Sequence, residues 1–106
     1  MDQGAKILEI PLRDGYIDLT LLIERLGAMG ITSLLIEGGG QVAANALNSD
    51  IVDKTAFFYA PKLLVSDQGV PMCRGKGPEK MSDALVLKNV AVSRIGEDIL
   101  VEGYLH

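Results

Sequence analysis

The chain has 106 residues, of which 48% are apolar and 23% charged, and its net charge is −4. This length and composition fit a single domain or part of one over residues 1–106, and they exclude a wholly disordered chain. An acidic chain with three Tyr, two Phe and no Trp lacks the basic stripe and stacking rings of a nucleic-acid-binding protein. No apolar run approaches the roughly 20 residues of a membrane span, so we expect a soluble cytoplasmic protein.

The cysteine and histidine counts limit the chemistry further. Cys73 is the single cysteine, so no internal disulfide can form, and an intracellular protein is expected. His106 is the single histidine, and one cysteine with one histidine cannot assemble a zinc site of the usual kind, so no metal is expected. Cys73 has no internal histidine to act as its base, which favours an inert thiol over a nucleophile.

The first half of the chain is predicted to alternate between strands and helices. Residues 5–11 alternate weakly as in a strand, and Asp14 with Gly15 marks a turn. Asp18 is a suitable N-cap for a helix over residues 18–29, and Gly30 suits its C-terminal end. The apolar residues of this helix recur at helical spacing: Leu19, Leu22, Ile23, Leu26 and Met29.

The next segment predicts a strand, a glycine turn, a helix and another strand. Residues 32–37 form a nearly continuous apolar run typical of a buried strand, which ends at three glycines. Residues 41–48 predict a short helix, and residues 53–60 predict a third strand. Right-handed crossovers would make the three strands parallel in a β-α-β-α-β order.

The last third predicts a loop and a hairpin. Residues 66–80 are rich in Gly and Pro and resemble a linker. Residues 85–94 and 98–105 alternate in places around a turn at 95–97, which predicts an antiparallel hairpin. The expected fold is therefore mixed α/β, with about five strands counted from periodicity alone.

The glycine turn before the second helix is a candidate anion site. A helix N-terminus offers unpaired N–H groups and partial positive charge, and glycine lets a phosphate approach the backbone closely. Residues 39–41 therefore predict a nucleotide-phosphate site. The alternative is a tight strand-to-helix turn that needs positive φ, because Asn45 stands where the G-x-G-x-x-G pattern would place its last glycine.

Two charged residues are further candidates. Glu37 ends the buried apolar run, where a carboxylate must be paired if it is buried; it could accept hydrogen bonds from a ligand or simply be solvated. Lys62 follows the third predicted strand and could reach an anion, although a solvated lysine is the alternative. No Ser/His/Asp set or distinctive carboxylate pair is present, so no catalytic residue is assigned.

Two stretches resemble a known enzyme family. The stretch ITSLLIEGGGQVAANALNSDIVDKTAFFYAPKLL and the tail KMSDALVLKNVAVSRIGEDILVEGYL resemble the C-terminal part of the bacterial riboflavin-biosynthesis reductase. The resemblance implies a dihydrofolate-reductase-like fold and reduction of 5-amino-6-(5-phosphoribosylamino)uracil with NADPH. It extends from about residue 6 to residue 105. Its most diagnostic parts are the E-G-G step, the segment ending APKLL and the closing hairpin.

The resemblance also implies roles for individual residues. The family glutamate that contacts the substrate, a pyrimidine ribosyl phosphate, matches Glu37. The segment that wraps the NADPH phosphates matches seven consecutive residues: Gly39, Gly40, Gln41, Val42, Ala43, Ala44 and Asn45.

The resemblance covers only part of the family's reductase domain, so alternative functions stay open. In the family this region is only about the C-terminal half of the reductase domain, and the preceding half supplies most other contacts. One alternative is therefore a non-catalytic assembly module, because an incomplete sheet has an unpaired edge; a homodimer is expected. The other is a diaminopyrimidine-type or dihydrofolate-reductase-like reductase.

Overall fold

A computed structural model describes residues 4–106 of the chain. The chain divides into two compact units, Met1–Glu37 and Gly38–His106. Each unit contains one α-helix and at least two strands, which confirms the mixed α/β class.

The first unit contains a small β-ribbon and one helix. Its elements are β1 (Leu12–Arg13), β2 (Tyr16–Ile17) and α1 (Leu19–Ala28). The ribbon turns at Asp14 and Gly15, whose φ values of 53° and 84° are those of a type I′ turn. Asp18 caps α1, because its Oδ1 accepts the N–H of Leu21 at 3.1 Å. Gly30 follows the helix with a φ of 87°, as expected for its C-terminal end.

The second unit contains a helix and a three-stranded sheet. Its elements are α2 (Gly40–Asn48), β3 (Lys54–Tyr59), a 3₁₀ turn (Met81–Asp83), β4 (Lys88–Ile95) and β5 (Asp98–Tyr104). The strand order is β3-β5-β4, and both pairings are antiparallel. The predicted helix over 41–48, the strand over 53–60 and the C-terminal hairpin therefore form with boundaries shifted by at most three residues.

The parallel arrangement is not observed. All strand pairings among residues 4–106 are antiparallel, and the predicted strands over 5–11 and 32–37 do not form. A strand exists only when a neighbouring strand bonds to its backbone. Within residues 4–106 no segment pairs with either stretch, so apolar composition alone does not make them strands.

Few apolar side chains are buried. Among the described residues, only Ala46 of α2 is a buried hydrophobic residue, with 2% of its surface exposed. Leu35 is 79% exposed, although it lies in the run predicted to be a buried strand. Phe58 of β3 and Val92 of β4 are also exposed. Large apolar areas on the sheet and on residues 32–37 are therefore left for another surface to cover.

No helix among residues 4–106 has the length and apolar character required to cross a membrane.

Candidate functional site

The seven predicted cofactor-binding residues lie together at the start of α2. Gly39 is the N-cap, and Gly40 is the first helical residue. Gly38 and Gly39 both have positive φ, 52° and 80°, a conformation that residues with a Cβ rarely adopt. The turn therefore favours glycine by its conformation alone, in line with the alternative interpretation of the sequence.

The first turn of α2 presents three backbone donors. The first helical hydrogen bond runs from the N–H of Ala43 to the carbonyl of Gly39, at 3.0 Å. The N–H groups of Gly40, Gln41 and Val42 precede that bond and have no partner within the helix. Within residues 4–106, no side chain forms a capping hydrogen bond at this end of the helix. Three N–H groups at the positive end of a helix can bind an anion such as a phosphate.

Exposure along this turn differs from residue to residue. Gln41 and Val42 are exposed, and Val42 retains 47% of its surface. Gly40 is buried, and residues 43–45 are half-buried. Gln41 and Val42 are thus accessible to a ligand, whereas the side of the helix that includes Gly40 is covered.

Gly40 is covered by part of the loop over residues 66–80, which the sequence predicted to be a linker. The backbone N–H of Arg74 donates to the carbonyl of Gly40 at 2.9 Å. A Cβ placed on Gly40 would lie 3.1 Å from the Arg74 nitrogen, 3.1 Å from the Pro71 oxygen and 2.9 Å from Arg74 Cγ. One helical turn later, a Cβ on Gly75 would lie 3.2 Å from Cβ of Ala44. Residues 71–75 therefore pack directly on α2, and glycine at position 40 makes this approach possible.

Arg74 lies beside the candidate site, and the sequence analysis did not predict it. Its stem contacts Gly40, which places a guanidinium-bearing side chain beside the uncapped start of α2. Arginine is well suited to phosphate because its planar donors can bind two oxygens at once. Arg74 lies 34 positions beyond Gly40 in an aperiodic loop, so no local pattern predicts that the two residues meet.

Glu37 and Lys62 are both exposed. Glu37 ends the first compact unit, whereas the seven residues belong to the second. Among residues 4–106, no hydrogen bond or ion pair of the Glu37 side chain is found, so no partner in the described chain neutralises it. The backbone N–H of Lys62 donates to the carbonyl of Ala60 at 2.8 Å, and its side chain makes no ion pair within the same residues.

The remaining candidates do not form a reactive centre. Cys73 is an exposed free thiol. His106 Nε2 lies 3.3 Å from Asp50 Oδ1 at an exposed position. Within the part of the chain that the structure describes, no group of three His, Cys, Asp or Glu side chains could hold a metal ion.

The family model and the similar proteins that match this chain point to the same family. The family model described as the RibD C-terminal domain matches residues 2–101. The riboflavin biosynthesis protein RibD of Actinobacillus pleuropneumoniae is 37% identical over 99 residues, which is 93% of this chain and 26% of that protein.

Two reductases also match. The 2,5-diamino-6-ribosylamino-4(3H)-pyrimidinone 5′-phosphate reductase of Methanothermobacter thermautotrophicus is 35% identical over 81% of this chain and 40% of its own length. The 5-amino-6-(5-phosphoribosylamino)uracil reductase of Buchnera aphidicola is 31% identical over 78% of this chain and 40% of its own length. The chain thus spans about a quarter of RibD and 40% of these two reductases.

Proposed function

The chain belongs to the RibD C-terminal domain family, and we propose that it is the C-terminal part of an NADPH-dependent reductase of riboflavin biosynthesis. The substrate class is a pyrimidine that carries a ribosylamino phosphate, in keeping with the names of the reductases it resembles. The principal substrate that we propose is 5-amino-6-(5-phosphoribosylamino)uracil. The diaminopyrimidinone phosphate is the alternative, and the enzyme is expected in the cytoplasm.

The observation that carries this proposal is the uncapped N-terminus of α2. The backbone N–H groups of the exposed Gln41 and Val42, the positive end of the helix and a glycine N-cap fit a phosphate or pyrophosphate group of NADPH. The residues proposed to wrap these phosphates are Gly39, Gly40, Gln41, Val42, Ala43, Ala44 and Asn45. When bound, NADPH supplies the hydride that reduces C1′ of the opened ribosylamine.

Glu37 is proposed to bind the pyrimidine. An exposed carboxylate with no intramolecular partner among the described residues can accept N–H hydrogen bonds from the ring without breaking a contact that supports the fold. Hydrogen bonds to a charged acceptor contribute about 1.5–3 kcal/mol each. Glu37 thus orients the substrate, while the N–H groups of α2 fix the cofactor.

The arrangement of strands in the complete reductase domain is also a proposal. We propose that residues 5–11 and 32–37 become parallel strands of a dihydrofolate-reductase-like sheet when the rest of the reductase domain lies beside them. The support is their apolar composition together with their present exposure, as at Leu35. In that arrangement residues 1–106 belong to a single domain.

A second candidate function is assembly, because among residues 4–106 no further strand pairs with β3 or β4 at the edges of the sheet. In this case the chain forms a homodimer and binds no NADPH by itself. Titration with NADPH distinguishes the two functions, since the assembly function predicts no binding.

Replacement of Gln41 by proline tests the phosphate site. Proline at this position removes an N–H that has no partner within the helix, so α2 should persist. The expected result is an NADPH dissociation constant raised about tenfold to a hundredfold, from the loss of one charge-assisted hydrogen bond. Binding is measured by NADPH fluorescence, and helicity by circular dichroism.

Thr20→Pro is the matched control. Thr20 occupies the same position in α1 that Gln41 occupies in α2, so both variants remove an N–H from the first turn of a helix. The control should leave NADPH affinity unchanged. Equal affinities for Gln41→Pro and the unsubstituted chain would contradict the phosphate site.

A further inference from the structure

Arg74 is held against the first turn of α2 by its own backbone. Its N–H donates to the carbonyl of Gly40 at 2.9 Å, and its Cγ would lie 2.9 Å from a Cβ placed on Gly40. The lack of a Cβ at position 40 makes this approach possible. The backbone and the first part of the Arg74 side chain are therefore fixed beside the start of the helix.

The charge of Arg74 is not compensated by the described part of the chain. Arg74 is exposed, and within residues 4–106 its side chain forms no hydrogen bond or ion pair. The first turn of α2 contains no acidic residue, and its N-cap is a glycine. The guanidinium charge and the partial positive charge of the helix N-terminus therefore lie on the same side of α2 without an acidic side chain from that turn.

This arrangement of charge is unfavourable without an anion. A cation near the N-terminus of a helix opposes the helix dipole, whereas an anion there is stabilised by it. An anion that contacts both the Arg74 guanidinium and the amides of Gln41 and Val42 would compensate both positive charges at once. A phosphate suits this role, because the planar donors of arginine can bind two of its oxygens together.

The loop around Arg74 is basic, although the chain as a whole is acidic. Residues 71–80 contain Arg74, Lys76 and Lys80 and one acidic residue, Glu79, whereas the whole chain has 10 basic and 14 acidic residues. All residues of this segment are exposed. Exposed positive charge concentrated in one segment attracts anions and increases the rate at which they bind. The segment that packs on α2 is thus suited by its charge to a phosphorylated ligand.

We propose that Arg74 binds a phosphate group of the nicotinamide nucleotide together with the amides of Gln41 and Val42. This inference rests on the proposed reductase function, and it adds to the cofactor site a residue outside the seven consecutive ones. Two parts of NADPH share the required chemistry, the pyrophosphate and the 2′-phosphate, and NADH carries only the pyrophosphate. Comparison of the two nucleotides therefore identifies the group that Arg74 contacts.

The test is titration of the unsubstituted chain and of Arg74→Gln with NADPH and with NADH. Glutamine keeps the backbone N–H and a Cγ, so position 74 should still pack on Gly40, and urea unfolding should be unchanged. The NADPH dissociation constant of Arg74→Gln should rise about tenfold to a hundredfold, from the loss of a charged hydrogen-bond donor. A similar loss for NADH assigns the contact to the pyrophosphate, and an unchanged NADH affinity assigns it to the 2′-phosphate.

Two further variants separate a specific contact from a general effect of charge. Arg74→Lys keeps the charge without the planar pair of donors, so it should bind NADPH more tightly than Arg74→Gln does. Arg94→Gln removes the same charge from an exposed position on β4 and should leave both affinities unchanged.

The outcomes distinguish this inference from the proposed function. If the unsubstituted chain binds NADPH and Arg74→Gln binds it equally well, the role of Arg74 is overturned while the proposed function stands. The same holds if Arg94→Gln weakens binding as much as Arg74→Gln does. If the unsubstituted chain binds neither nucleotide, the proposed cofactor site fails, and the role of Arg74 fails with it.

Discussion

Replacement of Gly40 by alanine is expected to destabilise the second unit by about 1–3 kcal/mol, the usual cost of overpacking. The added Cβ would lie 3.1 Å from two backbone atoms, the Arg74 nitrogen and the Pro71 oxygen. Backbone cannot rotate away as a flexible side chain can, so residues 71–75 must move off α2. The same movement displaces Arg74 from the start of the helix, and NADPH affinity should fall with stability.

Urea unfolding followed by circular dichroism measures the stability change, and NADPH titration measures the affinity. Gly77→Ala is the matched control, because a Cβ at Gly77 meets no atom within 4 Å and Gly77 has no positive φ. It should alter neither quantity. If Gly40→Ala unfolds at the same urea concentration as the unsubstituted chain, the loop does not pack on α2 as described.

Replacement of Glu37 by glutamine is expected to lower kcat/KM of the assembled reductase about tenfold to a hundredfold, the loss of a charged hydrogen-bond acceptor worth about 1.5–3 kcal/mol. Folding should be unaffected, because Glu37 is exposed and bonds to nothing else among the described residues. Steady-state kinetics with the pyrimidine varied at saturating NADPH measures this effect.

Glu97→Gln is the control for that change. Glu97 is an exposed carboxylate in the turn between β4 and β5, and its replacement should leave kcat/KM unchanged. Parallel NADPH titrations should show that Glu37→Gln binds the cofactor normally. Unchanged kinetics for Glu37→Gln would remove this residue from the substrate site.

Local signals were sufficient to predict both helices and the C-terminal hairpin. Asp18, the glycine after α1 and the glycines before α2 lie directly beside the helix ends that they define. Their effect can therefore be predicted from the local sequence. The hairpin likewise depends on a short turn that contains Gly96, at a φ of 61°. The seven cofactor candidates are consecutive, so predicting the helix also places them together.

Non-local contacts explain what could not be predicted. The stretches 5–11 and 32–37 have the composition of strands, but strand formation depends on a partner that no local pattern supplies. The contact of Arg74 with Gly40 likewise joins residues far apart in sequence. The β1–β2 ribbon was missed beyond its turn at Asp14 and Gly15, because two-residue strands leave no periodicity to detect.

Amide chemical shifts during a titration with NADPH test the phosphate site most directly. Two-dimensional ¹H–¹⁵N spectra of the chain report each backbone N–H separately, including those of Gly40, Gln41 and Val42. The amides of the exposed Gln41 and Val42 are expected to shift first and most, in a saturable manner, while the amides of α1 do not. Saturable shifts confined to other residues, or no shift at millimolar NADPH, would contradict it.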